Sequence, residues 1–291
     1  MVVIAGRRRA HAVEERPKLL EQPVQWADLW RELVERRARG LGDGQRDPWA
    51  GRARDFNDRV GRRWSGSDSS REFVCRQVEP GTTALDIGAG TGAWSILLAR
   101  TATRVTAVDA SPAMLGVMRE NLAAENITNV DVVPGRWPHV PMGRHDFALC
   151  SHAMYGSPDL RAFVERMIDV TRRTCFLVLR APLPGGIMTE AATYLWGQPL
   201  DSPNLTIAYN ILLQMGLAPN VLMETGGLWE AKSSATMDEA LARMKRHFGL
   251  GDSAEHDAYL LDLLNRRLER RNGGYVWERD MRSALVYWDV G

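Results

Sequence analysis

Residues 84–100 read ALDIGAGTGAWSILLAR, and no other stretch of the chain narrows the possible folds so far. A strand-like run ends at Ile87, glycines follow at alternate positions, and an apolar segment with helical spacing begins at once. Backbone amides approach a ligand closely only where no Cβ intervenes, so Gly88, Gly90 and Gly92 between a strand and a helix mark a turn built for contact. The surrounding sequence keeps the same rhythm. Residues 83–180 alternate short β-branched runs (TALDIG, RVTAVDA, VDVVPG, HDFALCS, CFLVLRAP) with amphipathic ones (AWSILLAR, SPAMLGVMRENLAAEN, DLRAFVERMIDVT). That alternation predicts a parallel sheet with helices on both faces. Ser111 followed by Pro112 supplies an N-cap and a first-turn proline for one of those helices.

Two nucleotide ligands fit such a loop. Read as Gly88-x-Gly90-x-x-Ala93, it satisfies a dinucleotide fingerprint, and Asp109, closing TAVDA, stands where an acid would bind ribose hydroxyls. The acid that opens the loop, Asp86, points the other way: it suits a ligand carrying an ammonium and a sulfonium and repels a pyrophosphate.

The run LDIGAGTG resembles motif I of the class I S-adenosylmethionine-dependent methyltransferases, and the likeness extends over about residues 82–182. It is nearest to the small-molecule, menaquinone-biosynthesis-type branch. The resemblance implies a Rossmann-like α/β fold whose seven-stranded, mostly parallel sheet has the order 3-2-1-4-5-7-6, with S-adenosylmethionine as cofactor. It further implies that Asp86 and the backbone of Gly88, Ala89, Gly90 and Gly92 face the methionyl part and ribose. Asp109 would chelate the ribose hydroxyls, with Ala110 and Met114 beside the adenine. Arg136 and Trp137 occupy the loop that reads the adenine edge, where the family commonly has an aspartate; Trp137 would either stack on the base or pack the loop. Ser151, in SHAMYGSPD, would line the cofactor cavity. The family's RvLkPGG is replaced by VTRRTCFLVLRAP.

Methyl transfer from a sulfonium needs alignment and exclusion of water more than it needs protein chemistry. A hydroxyl or ammonium acceptor also needs a base, for which His152 and Tyr155 are the candidates, against loop-ordering and pocket-wall roles respectively. His139 and His145 flank a turn and read as solvated. The expected organisation is a disordered or frayed terminus at 1–20, a helical lid at 21–80, and the methyltransferase domain at 81–291 with a helical insertion at about 232–272. Phe56, Arg63 and Trp64 are the closure candidates, while Trp26 and Trp30 read as core. Arg180 either pairs with an acceptor carboxylate or caps a helix. Tyr194, Trp196 and the inserted helices are candidates for the far wall of the pocket.

Composition narrows the partners. A formal net charge of +1 gives no global attraction to nucleic acid or to an anionic membrane, and no run is apolar enough to span a bilayer. The odd cysteine count, 3, with no CxxC pair, argues against a disulfide framework and a structural zinc, and favours a reducing cytoplasm. A small organic acceptor is the leading expectation. An RNA or protein methyltransferase, a non-catalytic S-adenosylmethionine-binding protein and a nicotinamide oxidoreductase are the alternatives; no metal is called for, and the oligomeric state is open.

Overall fold

The computed structural model describes residues 24–39, 47–225 and 228–291. The terminus at 1–20, expected to be disordered or frayed, lies outside the described residues. Among the described residues, helices α1 (Trp26–Arg39), α2 (Ala53–Trp64) and α3 (Ser69–Gln77) precede the sheet. Then β1 (Thr83–Ile87), α4 (Ala93–Ala99), β2 (Arg104–Asp109), α5 (Pro112–Ala124), β3 (Val130–Pro134), β4 (His145–Ser151), α6 (Leu160–Asp169) and β5 (Thr171–Pro182) alternate as the hydrophobic rhythm requires. They are followed by α7 (Ile187–Trp196), α8 (Leu205–Gln214) and β6 (Asn220–Met223). An excursion through β7 (Ser233–Ser234), α9 (Met237–Phe248), α10 (Asp257–Arg267), β8 (Glu269–Arg271) and β9 (Gly274–Val276) leads back to β10 (Met281–Asp289).

The main sheet has the order β3-β2-β1-β4-β5-β10-β6, the arrangement 3-2-1-4-5-7-6 with β10 as the seventh strand. That last strand runs antiparallel to both of its neighbours. Period-two alternation divides the strands between two cores. Leu85, Ile87, Ala148, Cys150, Cys175, Leu177 and Leu179 pack with α1, α6 and α8 on one face. Ala84, Phe147, Leu149, Phe176 and Val178 pack with α3 and α4 on the other. The stripe on α1 buries Trp30, Leu33 and Val34, and the Trp30 indole N–H donates to Ser157 O at 2.9 Å. Ser111 caps α5 as expected, accepting from Met114 N.

Three elements differ from the expectation. Helix α7 follows the PLPGG loop directly, and its short stripe of Ile187, Ala191 and Ala192 is buried against α9 and α10 rather than against the sheet. The sixth strand is only Asn220–Met223, because the chain leaves the ladder at Glu224, whose carboxylate accepts from Ser69 N and Ser70 N at the start of α3. The insertion expected to be helical over about 232–272 is helical only to Arg267, since Asn272 and Gly273, both at positive φ, turn residues 269–276 into a hairpin.

Candidate active site

Gly88, Gly90 and Gly92 all adopt positive φ, at 68°, 58° and 89°. Their surroundings separate them. A Cβ on Gly88 would stand 2.1 Å from Ala153 Cβ, and one on Gly92 2.8 Å from Met118 Cγ, so these two let neighbouring elements close on the loop. A Cβ on Gly90 would meet only Phe56 Cε1, at 3.8 Å. Gly90 is therefore the position with room for a side chain, its far side bounded by Phe56. The loop is tied to the end of β2 by Gly88 N and Ala89 N, which both donate to Val108 O. Asp109, one residue on, accepts from Gly90 N through Oδ2 and from Ser111 N through Oδ1, each at 2.8 Å. Each oxygen keeps a further lone pair for a ligand hydroxyl. Burial raises the Asp109 carboxyl above its ordinary value, against the lowering effect of those amides.

The other residues of this region are placed less uniformly. Asp86 is not at the mouth of the loop: it is 1% exposed, beneath it, and accepts from Ser95 Oγ on α4 at 2.6 Å. Burial pushes its carboxyl up to about 7. Ala110 is exposed just past Asp109, whereas Met114 is buried with Ala53 and Val117 between α5 and α2. Arg136 is exposed. Trp137 is turned inward, edge-on to Phe163 with its indole N–H donated to Phe163 O at 3.1 Å, so of the two roles open to it, stacking on a base or packing the loop, the structure shows packing. Ser151 ends β4 opposite Val178, half-buried.

The segment before the sheet reaches over this cradle. Asp47 accepts from Ser111 Oγ and Ala113 N, fastening the approach to α2 onto the first turn of α5. Further along, Asn121 Nδ2 donates to both Asn57 Oδ1 and Thr91 O, joining α2, α5 and the glycine loop. Phe56 lies over Gly90, edge-on to Trp49. Trp64, expected in the same role, packs instead edge-on against Trp94 of α4 and under the Arg71 guanidinium, away from the cradle.

A second cluster forms where β4, β5 and β10 end or begin on the same side of the sheet. Ser283 is the cross-strand partner of Arg180. Its hydroxyl oxygen accepts from Arg63 Nη2 at 2.6 Å and from Trp229 Nε1 at 3.2 Å. A serine hydroxyl offers two lone pairs and one hydrogen, so that hydrogen is left for His152 Nε2, 3.2 Å away. His152 is then the neutral Nδ1–H tautomer, with Nδ1 3.4 Å from the Tyr155 hydroxyl, which accepts from Arg180 N. The Arg180 guanidinium lies 4.0 Å from the Tyr155 ring centroid and donates to Pro203 O. Burial, then Arg63, then Arg180 bring the His152 imidazole down to about 3, and burial raises the Tyr155 phenol. Neither group has the near-neutral basicity that a general base needs.

The family model described as methyltransferase domain matches residues 84–174. The match covers the run from β1 to the first residues of β5. Among curated proteins, the demethylmenaquinone methyltransferase of Shouchella clausii (strain KSM-K16) is 31% identical over 100 residues, covering 33% of this chain and 43% of that protein. The malonyl-[acyl-carrier protein] O-methyltransferase of Serratia marcescens is 31% identical over 131 residues, 44% of this chain and 42% of that protein. The chain thus spans less than half the length of the curated relatives it matches. The crystal structure of the YcgJ protein of Bacillus subtilis, 17% identical, superposes with a TM-score of 0.51 over 76% of this chain and 97% of that one.

Within and beside the matched run, several side chains differ from the sequence reading. His145 is buried, not solvated: its ring bridges Gly143 O and Thr106 Oγ1, fixing the start of β4 to β2, and burial lowers its basicity. Tyr194 stacks on Tyr259, and Trp196 lies edge-on to Phe248 under Arg36, so both serve the α7–α9–α10 cluster and not the His152 cluster. Ser283, Trp229 and Asp47 were not singled out. Ser283 had one signal, a hydroxyl at the head of an otherwise apolar strand; Trp229, a lone indole beyond two glycines, had none.

Proposed function

We propose that the protein transfers a methyl group from S-adenosylmethionine to a small organic acceptor. The observation that carries this reading is the pairing of Gly90, the loop glycine with room for a side chain beneath Phe56, with the Asp109 carboxylate at the end of β2. When bound, S-adenosylmethionine supplies a methyl carbon activated by its sulfonium. The side-chain-free backbone of the Gly88–Gly92 loop and the free lone pairs of Asp109 would hold it, with Ala110 at the adenine end and Met114 supporting α5 from beneath. Asp86 would act through the loop as a counter-charge to the cationic ligand, ionising as that charge arrives. Residues 21–80 would serve as the lid, with Phe56 of α2 over Gly90 excluding water from the reacting centre.

His152 and Tyr155 act in this reading as positioning residues. Their polar atoms are committed to Ser283, Arg180 and one another, and the depressed basicity of His152 suits an orienting role. The acceptors for which the two curated relatives are named, demethylmenaquinone and malonyl-[acyl-carrier protein], support a small or carrier-borne acceptor over a nucleic acid. Free cysteines at Cys75, Cys150 and Cys175 support a cytoplasmic setting; burial pushes the Cys150 and Cys175 thiols up, the latter to about 12, making them inert at neutral pH. Among the described residues, no helix is long and apolar enough to cross a membrane.

Calorimetry with S-adenosylmethionine, S-adenosylhomocysteine and NAD tests the cofactor. Binding of the first two is expected; binding of NAD alone would overturn the reading. Transfer of label from methyl-labelled cofactor into an extract of the producing cell tests the activity, and absence of transfer into any fraction would leave a binding protein.

A further inference from the structure

Arg63 and Arg180 approach His152 from two sides and are held there by neutral partners. Arg63 is pinned by the Ser283 hydroxyl and lies 4.5 Å from the Trp229 ring centroid. Arg180 is pinned by Pro203 O and the Tyr155 ring, and its Nε is buried with no hydrogen-bond partner among the described residues. Among the described residues, neither guanidinium has a carboxylate at ion-pair distance. The acids nearby are engaged elsewhere. Asp68 accepts from Arg71 N and Glu224 from Ser69 N and Ser70 N, both at the start of α3. Asp201 is paired with His247 at 2.9 Å.

Two arginines immobilised by a hydroxyl, a carbonyl and aromatic faces have already lost most of the rotamer freedom that binding would cost, and the acids that favour their charge, Asp68 and Glu224 for Arg63 and Asp201 for Arg180, act without a direct ion pair. Their planar N–H forks match an anion that accepts two parallel hydrogen bonds. Arg63 remains solvent-accessible, as a group that captures a ligand must. The field is the wrong one for a cationic acceptor, since both guanidiniums already act against a proton on His152.

We infer that the acceptor carries a carboxylate, and that Arg63 and Arg180 hold it beside His152. Ser283 and Tyr155 set the angle of the two forks, and Trp229 forms the wall under Arg63. This rests on the methyltransferase reading for calling the ligand an acceptor; the anion site itself stands on the arginines alone.

The test is a titration of the protein with acetate, benzoate or succinate, with and without saturating S-adenosylhomocysteine. The corresponding amides serve as neutral controls and inorganic phosphate as a competing anion. The readout is the ring signal of nitrogen-labelled His152, assigned by its loss in His152→Asn. A carboxylate is expected to shift this signal saturably and to raise the pH at which the ring titrates, while its amide does neither. Arg180→Met should weaken carboxylate binding roughly tenfold or more, and Arg180→Lys should recover part of it. Arg63→Met, on an exposed helix end, carries the same test where Arg180→Met does not fold. The inference is overturned if none of the carboxylates shifts His152, if amides bind as well, if phosphate binds more tightly than every carboxylate, or if both methionine variants bind undiminished. Failure of S-adenosylhomocysteine to bind while carboxylates do would count against the methyltransferase reading alone.

Discussion

Gly90→Ala separates the cradle's two jobs, folding and binding, more cleanly than any other substitution. At φ 58° an alanine pays the left-handed penalty of roughly 1–2 kcal/mol, partly offset by about 0.4–1 kcal/mol from the stiffer unfolded chain. The new methyl touches nothing closer than Phe56 Cε1 at 3.8 Å, so packing adds no further cost. The net loss of about 1 kcal/mol should lower the melting temperature by only a few degrees, about 2–4 °C for a chain somewhat shorter than this one. Binding should suffer far more, because the methyl stands where the ligand must approach the loop backbone and the Asp109 carboxylate that Gly90 N holds. Loss of one hydrogen bond to a charged or polarised group is worth about 1.5–3 kcal/mol, or roughly ten- to a hundredfold in affinity. Gly88→Ala is the contrast, since its Cβ would be driven to 2.1 Å from Ala153 Cβ and the fold itself should give way. Calorimetry with S-adenosylhomocysteine and a thermal melt on each variant decide the matter. A Gly90→Ala protein that melts within a few degrees of the parent and binds the ligand equally well would refute the assignment of this loop as the cradle.

Asp109→Ala should weaken S-adenosylhomocysteine by about 1.5–3 kcal/mol and also lower the melting temperature, because it releases Gly90 N and Ser111 N together; unchanged affinity by calorimetry would move the ribose elsewhere. Asp86 gives a pH dependence: with its folded carboxyl raised to about 7, it contributes stability fully present below the ordinary carboxylate range and lost as pH rises through about 7. The ligand-free melting temperature should therefore fall over that window, S-adenosylmethionine should bind more tightly as Asp86 ionises, and Asp86→Asn should flatten both profiles when measured by scanning and titration calorimetry. Trp137→Phe should cost about 1 kcal/mol of stability through the lost bond to Phe163 O while leaving cofactor affinity unchanged, and a drop in affinity at constant stability would return the indole to the adenine site.

The sheet and its order were legible because buried parallel strands and their covering helices leave a periodic apolar trace, and because Gly88, Gly90 and Gly92 can sit together at positive φ only in a turn of this kind. Local chemistry was legible too: Ser111 caps α5 as its neighbour Pro112 suggests. The Asn272–Gly273 dipeptide is a hairpin signal at the end of the stretch expected as a helical insertion, and the structure makes a hairpin there. What sequence does not carry is direction. Asp86 and Asp109 look alike as acids flanking a loop, yet one points beneath it to Ser95 and the other along its rim to Gly90; the register Asp86↔Ala107 puts both on one face, and the difference is that Asp86 lies within β1 whereas Asp109 ends β2. Trp137 and His145 likewise read as surface loop residues until α6 and β2 supply Phe163 O and Thr106 Oγ1. The His152 cluster was the least legible part. Its members come from α2, β4, β5, the segment before β7 and β10, and Arg63 meets Ser283 across 220 residues of sequence.

Helix α2 joins the two halves of the site. Phe56 and Arg63 stand seven residues apart on it, two helical turns, hence on one face and about 10 Å apart along the axis. The first covers Gly90 and the second enters the His152 cluster. A rigid helix with one end on each ligand position cannot be displaced at one without disturbing the other, so whatever moves Phe56 to admit a nucleoside also moves the guanidinium that faces the acceptor. Its fastening supports that reading. Arg54 pairs with Glu120 and Asn57 with Asn121, both on α5, the helix capped by the serine that donates to Asp47 and donates its amide to Asp109. The contacts that set the position of α2 therefore run through the residues that hold the cradle, and the acceptor pocket inherits its geometry from them.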